Sequence, residues 1–113
     1  MNIEITLIEY LNSAVSDIPT YAEVPESPTG EFFVVDKTGS DTENGLCTTT
    51  VAIQSYADTK LKASQLNERL IGVMDGLTAL DGVSDCKLIT DYNFTNVAKK
   101  QHRYQAVFEI THY

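Results

Sequence analysis

The sequence predicts an α+β domain: a mainly antiparallel sheet of about four strands with two helices packed on one face, in the order α-β-β-α-β-β. Three observations carry this prediction. Apolar residues recur at helical spacing from Ile3 to Val15 and again from Leu66 to Leu77, which is the stripe of an amphipathic helix. The segments around Val51 and Phe108 alternate apolar with polar residues, as strands with two different faces do. Between Thr48 and Leu77 the hydrophobic period switches from two to about 3.6 within a few residues, so a strand runs directly into a helix at Asp58. Helices that alternate with hairpins, rather than with single strands, cover one face of an antiparallel sheet.

In the first helix Ile3, Leu7, Leu11 and Val15 form the stripe, Ile8 and Ala14 widen it, and Asn2 is placed to cap it. The helix ends before Pro19. All three prolines, Pro19, Pro25 and Pro28, fall between Ile18 and Gly30, which makes this stretch a punctuated connector with room for one short strand at Tyr21 to Val24. Phe32, Phe33, Val34 and Val35 lie in a strand from Glu31 to Thr38 whose unbroken apolar run suits burial on both faces. The polar segment Gly39 to Gly45 reads as a glycine-bounded loop. In the strand after it, Val51, Ile53 and Ser55 face one way and Thr50, Ala52, Gln54 and Tyr56 the other.

Asp58 is the expected cap of the second helix, in which Ala63, Leu66, Leu70, Val73, Met74 and Leu77 form the apolar stripe, with Gly76 or Gly82 to end it. Val83 to Thr95 places Cys86, Leu88, Thr90, Tyr92 and Phe94 on one side and Asp85, Lys87, Asp91 and Asn93 on the other. After a turn at Lys99 and Lys100, the last strand puts Tyr104, Ala106, Phe108 and Ile110 on its core face. Residues 1–113 are expected to form a single domain, a size that buries roughly two thirds of the unfolded chain's surface.

Sixteen acidic and eight basic residues give a net charge of −8 and a pI near 4.5, which argues against direct neutralisation of nucleic-acid phosphates. The charge is unevenly divided. Residues 1–58 hold ten carboxylates and one cation, Lys37, whereas residues 59–113 hold six carboxylates and seven cations. The acidic excess reads first as a surface that keeps the protein in solution, and second as a dipolar protomer suited to packing an acidic surface against a basic one in a ring or stack. No basic segment leads into an apolar run, so the sequence predicts neither a signal peptide nor a membrane span. Asn93-Phe94-Thr95 fits a glycosylation acceptor by chance.

Catalytic and metal-binding patterns are not evident. Cys47 and Cys86 form no CxxC pair and no disulfide framework, and each is expected to act as a small buried hydrophobe. His102 and His112, ten residues apart on one strand, are too distant to share a metal and are expected at the surface. Asp41-Thr42-Glu43-Asn44-Gly45 lacks the closing glutamate of a calcium loop. No phosphate-cradling glycine motif occurs. The reading is therefore of a non-enzymatic chain with no cofactor and no metal. Tyr56 and Tyr104 read first as rings that edge the core, and second as anchors for a protein interface.

The run Val51-Ala52-Ile53-Gln54-Ser55-Tyr56-Ala57, the helical stripe Ala63/Leu66/Leu70 after it, and the closing Arg103-Tyr104-Gln105-Ala106-Val107-Phe108-Glu109-Ile110-Thr111 together resemble the tail terminator proteins of long-tailed bacteriophages. These are also called tail completion or tail-to-head joining proteins. The amphipathic first helix and the Phe32 to Thr38 strand extend the resemblance over most of the chain. It is a likeness of layout and residue type, without a catalytic signature. The resemblance implies a virion subunit of the head-tail junction, assembled in the bacterial host cytoplasm as a ring, commonly of six copies. That ring caps the head-proximal end of the tail tube, stops its polymerisation and meets the head-completion connector. The expected partners are other copies of the chain, the major tail tube protein and the connector, with DNA passing through the ring without specific binding. A carboxylate-lined lumen would keep phosphates from adhering, and in such a ring the Gly39 to Gly45 loop, with Asp41 and Glu43, is expected to be a projecting contact element. A head-closure or minor tail component, and a small dimeric α+β ligand-binding or regulatory domain, are the alternative readings.

Overall fold

A computed structural model describes all 113 residues. Helix α1 (Ile3–Ala14) leads through short strand β1 (Thr20–Tyr21) into β2 (Phe32–Glu43) and β3 (Leu46–Ala57). Helix α2 (Lys60–Met74) and a 3-10 turn (Leu77–Ala79) precede β4 (Val83–Asn93) and β5 (His102–His112). The five strands form one sheet in the order β1-β2-β3-β5-β4. β1 runs parallel to β2, and every other pairing is antiparallel. The fold is thus α+β with five strands rather than about four, β1 being shorter and earlier than the Tyr21 to Val24 strand expected.

Both helices lie on one face, α1 over β1 and β2 and α2 over β3 and β5. Ile3, Leu7, Leu11 and Val15 of the first helical stripe meet Leu66, Leu70 and Met74 of the second above Phe33, Val35, Val51, Ile53, Ala106, Phe108 and Ile110 of the sheet. Every residue of this cluster is at most 6% exposed, so one continuous apolar layer holds the fold together by removing its surface from water. Ala14, expected at the edge of the stripe, is exposed. The helices are also tied to one another by polar contacts. Tyr10 donates from Oη to the Val73 carbonyl at 2.6 Å, and Arg69 grips the Asp17 carboxylate with two bonds of 2.7 and 2.8 Å. The guanidinium holds the Asp17 carboxyl below its usual range. Because the pair is exposed, water screens it strongly.

The helix starts follow from capping. Asn2 accepts from the Ile5 N–H at 3.2 Å, as its position predicts. For α2 the cap is Thr59, whose hydroxyl accepts from the Lys62 N–H at 3.2 Å. Asp58 therefore precedes the cap: Thr59 is the residue with extended backbone at the junction, and that geometry aims a side-chain oxygen at the free amides. α2 ends at Met74, before either glycine proposed to stop it. Asn67 sits buried on α2 and donates to the Asp91 carboxylate at 2.8 Å, which fastens the helix to the outer strand β4.

The segment Gly39 to Gly45 is not a loop. Strand β2 continues through Glu43, and the connection to β3 is the two-residue turn Asn44-Gly45. Both turn residues have positive φ, 53° and 82°, as the hairpin turn whose twist matches that of its strands requires. Asn-Gly is the strongest short hairpin signal in any sequence, and it outweighs the polar composition around it. A bulge between Lys37 and Gly39 shifts the register by one. Phe33 and Val35 therefore face the helices, whereas Asp41 and Glu43 pair with Thr48 and Leu46 on the helix-free face.

A second bulge, between Leu88 and Thr90, acts the same way on β4. Cys86 and Leu88 pair with Ile110 and Phe108 on the helical face, but Thr90 and Tyr92 pair with Val107 and Gln105 on the other. The strict alternation expected along this strand therefore breaks at Ile89, which is 49% exposed. Ser55 and Tyr56 keep the predicted parity, so Tyr104, opposite Ser55, and Tyr56, opposite Arg103, lie on different faces of the sheet.

Gly45→Val forces a branched side chain into a left-handed backbone and is expected to destabilise the fold by about 1–2 kcal/mol. Gly72→Ala, inside α2 where an added Cβ meets nothing within 4 Å, is expected to stabilise it by about 0.5–1 kcal/mol. Thermal unfolding followed by circular dichroism checks both, as shifts of opposite sign.

Candidate functional site

The two ends of the β2–β3 hairpin differ in chemistry. At the turn end, Asp41 and Glu43 are exposed on the helix-free face, next to Asn44 and the half-buried Leu46. Neither carboxylate enters an ion pair, since the single salt bridge of the chain is Arg69 to Asp17.

At the opposite end the strands close on an aromatic group. Tyr21 meets Phe32 edge to face, with centroids 5.9 Å apart, and Phe32 stacks on Tyr56 at 4.6 Å with an interplanar angle of 10°. Phe32, Val34 and Tyr56 form a small buried cluster on the face that no helix covers. Arg103, directly opposite Tyr56 on β5, donates from Nη1 to the Tyr56 hydroxyl at 2.9 Å and from Nε to the Phe94 carbonyl at 2.7 Å. Its guanidinium also lies 4.5 Å from the Phe94 ring centroid and 5.6 Å from that of Tyr56, a geometry in which the cation is attracted by both ring faces. Alternation explains the gathering: Phe32, Tyr56 and Arg103 lie on one face at registered positions of adjacent strands, and the β4 bulge brings Tyr92 and the residues after it to the same face.

Beside this group a cleft of about 420 Å³ opens between the proline-rich connector and the turn before β5. Val24, Pro28, Phe32, Tyr56, Lys100 and His102 are among its walls, and Asp58 is its single carboxylate. Lys100 adopts φ 54° at the turn, and Lys99 and Lys100 are both exposed and free of ion pairs. His102 carries a buried Nδ1 with no hydrogen-bond partner. A polar chain continues along the helix-free face from the cluster: Gln54 donates to Gln105 at 2.6 Å, and Gln105 donates to the Tyr92 hydroxyl.

The four residues singled out in the sequence therefore do not converge. Asp41 and Glu43 stand at the hairpin tip, Tyr56 is 5% exposed at the far end of β3, and Tyr104 is half-buried on the helical face. About ten residues of strand separate the tip from Tyr56, roughly 30 Å. Tyr56 serves as a wall of the cleft and a platform for Arg103. Arg103 itself carried no sequence-level assignment. The signal was present in the run Lys99-Lys100-Gln101-His102-Arg103, a basic pentapeptide within an acidic chain.

His112, expected at the surface, is 3% exposed. Its Nε2 meets the Thr49 hydroxyl at 2.8 Å and its Nδ1 the Tyr113 carbonyl at 3.1 Å. Accordingly Nδ1 carries the proton and donates, and Nε2 accepts from Thr49. Cys47 pairs with His112 in register, but its thiol contacts the Thr42 hydroxyl at 3.2 Å instead. Burial pushes the Cys86 thiol up to about 11, aided by the Asp85 and Asp75 carboxylates. No three His, Cys, Asp or Glu side chains come together as a metal cluster.

No protein-family profile matches the chain, and no curated protein is similar to it in sequence.

Arg103→Ala is expected to lower stability by about 1 kcal/mol, since it leaves the part-buried Tyr56 hydroxyl without its donor and removes the bond to the exposed Phe94 carbonyl. Arg103→Lys restores little, because an ammonium lacks the planar fork that serves two acceptors and two rings; urea midpoints of the two variants test this. For the thiols, a disulfide reagent at pH 8 is expected to label Cys47 first, with Cys86 slow because its thiol stays protonated. Cys47→Ser then removes the fast phase. Since the folded state holds the Cys86 proton up to about 11 and the unfolded chain releases it near 9, this group's contribution to stability is complete below pH 9. It falls as the pH rises towards 11.

Proposed function

We propose that the chain is a non-enzymatic assembly subunit, and specifically a tail terminator of a long-tailed phage. In this reading several copies, six by the resemblance, form a ring on the head-proximal end of the tail tube. The ring stops tube polymerisation and presents a surface to the head-completion connector, while DNA passes through its centre unbound. The observation that carries the reading is the polarity of the protomer. A carboxylate-bearing hairpin tip and a cation-rimmed cleft stand at opposite ends of a molecule 44 Å long.

Such a protomer is built for head-to-tail contact with copies of itself, because each end complements the other and neither complements itself. The α+β fold class is the one the resemblance implies. The net charge of −8 suits a subunit that surrounds DNA without holding it, since the summed field repels phosphate. The chemistry at hand favours scaffolding over catalysis: both nitrogens of His112 are engaged in structural bonds, and the Cys86 thiol is held protonated. Assignment to the virion follows from this role.

Native mass spectrometry and negative-stain imaging at micromolar concentration, with and without purified tail tubes, test the proposal. The expected outcome is a ring, either free or formed on the tube end, and tubes that stop growing once it is bound. Monomers alone in both conditions overturn it. A stable dimer whose melting temperature responds to small metabolites supports the ligand-binding alternative instead.

A further inference from the structure

We propose that the β2–β3 hairpin tip of one copy docks into the cleft beside Lys99 and Lys100 of the next copy. The inference deepens the assembly reading and rests on it. Three observations lead to it.

The first is placement. The tip lies at the Glu43 to Leu46 end of the hairpin, and the cleft is walled by Phe32 and Tyr56, which pair at the other end. About 30 Å of strand separates them, so no copy can seat its own tip. A contact between them is necessarily intermolecular, and it is heterologous: the same two surfaces meet at every junction, closing into a ring or extending as a filament according to the rotation between copies.

The second is charge. Asp41 and Glu43, two residues apart on β2, project from the same face of the tip, and the bulge after Lys37 makes it the helix-free one. Both are exposed and without an ion-pair partner. Lys100 lines the cleft and Lys99 precedes it in the same turn, both exposed and unpaired, with Asp58 the one carboxylate among the walls. Opposite charges at this spacing steer encounter and fix register.

The third is fit. A cleft of about 420 Å³ lies in the range that holds a small ligand, and hence a two-residue turn with one flanking side chain rather than a helix. Leu46, half-buried and on the same face as the two carboxylates, supplies an apolar group to the Val24, Pro28 and Phe32 walls.

The test is a charge swap. Asp41→Lys with Glu43→Lys gives a chain with two basic ends, and Lys99→Glu with Lys100→Glu gives one with two acidic ends. Each altered position is exposed, so thermal melting close to that of the unmodified chain is expected and serves as the folding control. By sedimentation velocity and native mass spectrometry, each double variant alone is expected to need at least about tenfold higher concentration to assemble, since like charges then face each other. An equimolar mixture of the two, and the quadruple variant, are expected to regain assembly. Variants that assemble as readily as the unmodified chain overturn this contact while leaving the ring reading intact. So does a mixture that fails to recover. An unmodified chain that never associates, alone or on tail tubes, overturns both.

Discussion

Strand β3 is paired along its length on both sides, with β2 and with β5, and the parity of its side chains decides which face each neighbouring residue occupies. Val51, Ile53 and Ser55 point under the helices, while Ala52, Gln54 and Tyr56 point away. Everything else is registered to that alternation. The helices have only one apolar surface to cover, so they share a face. The face they leave bare must then hide its own apolar groups by other means. It does so with the stack of Phe32 on Tyr56, with the guanidinium of Arg103 laid against Tyr56 and Phe94, and with the Gln54, Gln105 and Tyr92 chain. Long polar side chains lying flat across a sheet can bury apolar neighbours nearly as well as a second layer. That explains why Val34 and Ala52 are 5% and 3% exposed without a helix above them.

Much of this was legible from residue type. Ile3, Leu7, Leu11 and Val15 read as a helix face because helix geometry repeats every 3.6 residues, and all four are buried. The apolar run from Phe32 to Val35 read as a strand covered on both sides, and it is buried on both. What misled was local. Bulges at Thr38 and Ile89 each insert one residue and so reverse the face of all that follows. Neither leaves a compositional mark, because any residue can bulge. The Asn44-Gly45 turn did leave one, masked by a surrounding segment too polar to look like strand. His112 is buried because Thr49, a β3 residue remote in sequence, stands opposite Ile110, next to Cys47 and within reach of the imidazole. Such partners are visible only once register is known.

The candidate site shows the same division. The acidic character of the hairpin tip could be read directly, and so could the basic run from Lys99 to Arg103. Their placement at opposite ends could not, because it depends on the Phe32 to Tyr56 pairing closing one end and the tight turn closing the other. An expected loop of seven residues would have left Asp41 and Glu43 without a defined direction. Continued as strand, with one bulge, the same residues are held out rigidly on a single face. The entropy of ordering them is therefore already met by the fold, and preorganised groups lose less on binding.

A head-to-tail contact through the hairpin tip must be weighed against simpler pairing of the free strand edges. β4 offers an unpaired edge along its length, and β2 is covered by β1 only at Phe33 and Val34. Exposed edges of this kind invite another strand unless they are blunted. Here both are blunted. The β4 edge carries Asp85, Lys87 and Asp91 and is broken by register shifts after Val83 and after Leu88; the β2 edge carries Asp36, Lys37 and Asp41 and is broken after Lys37. A bulge spoils the even ladder of donors and acceptors that a flat incoming strand needs. The same three bulges that deny edge pairing also set the directions of Asp41, Glu43 and the Tyr92 to Phe94 segment, and so shape the two ends of the molecule. Closing the sides while differentiating the ends is the physical reason for proposing an end-to-end contact over edge pairing.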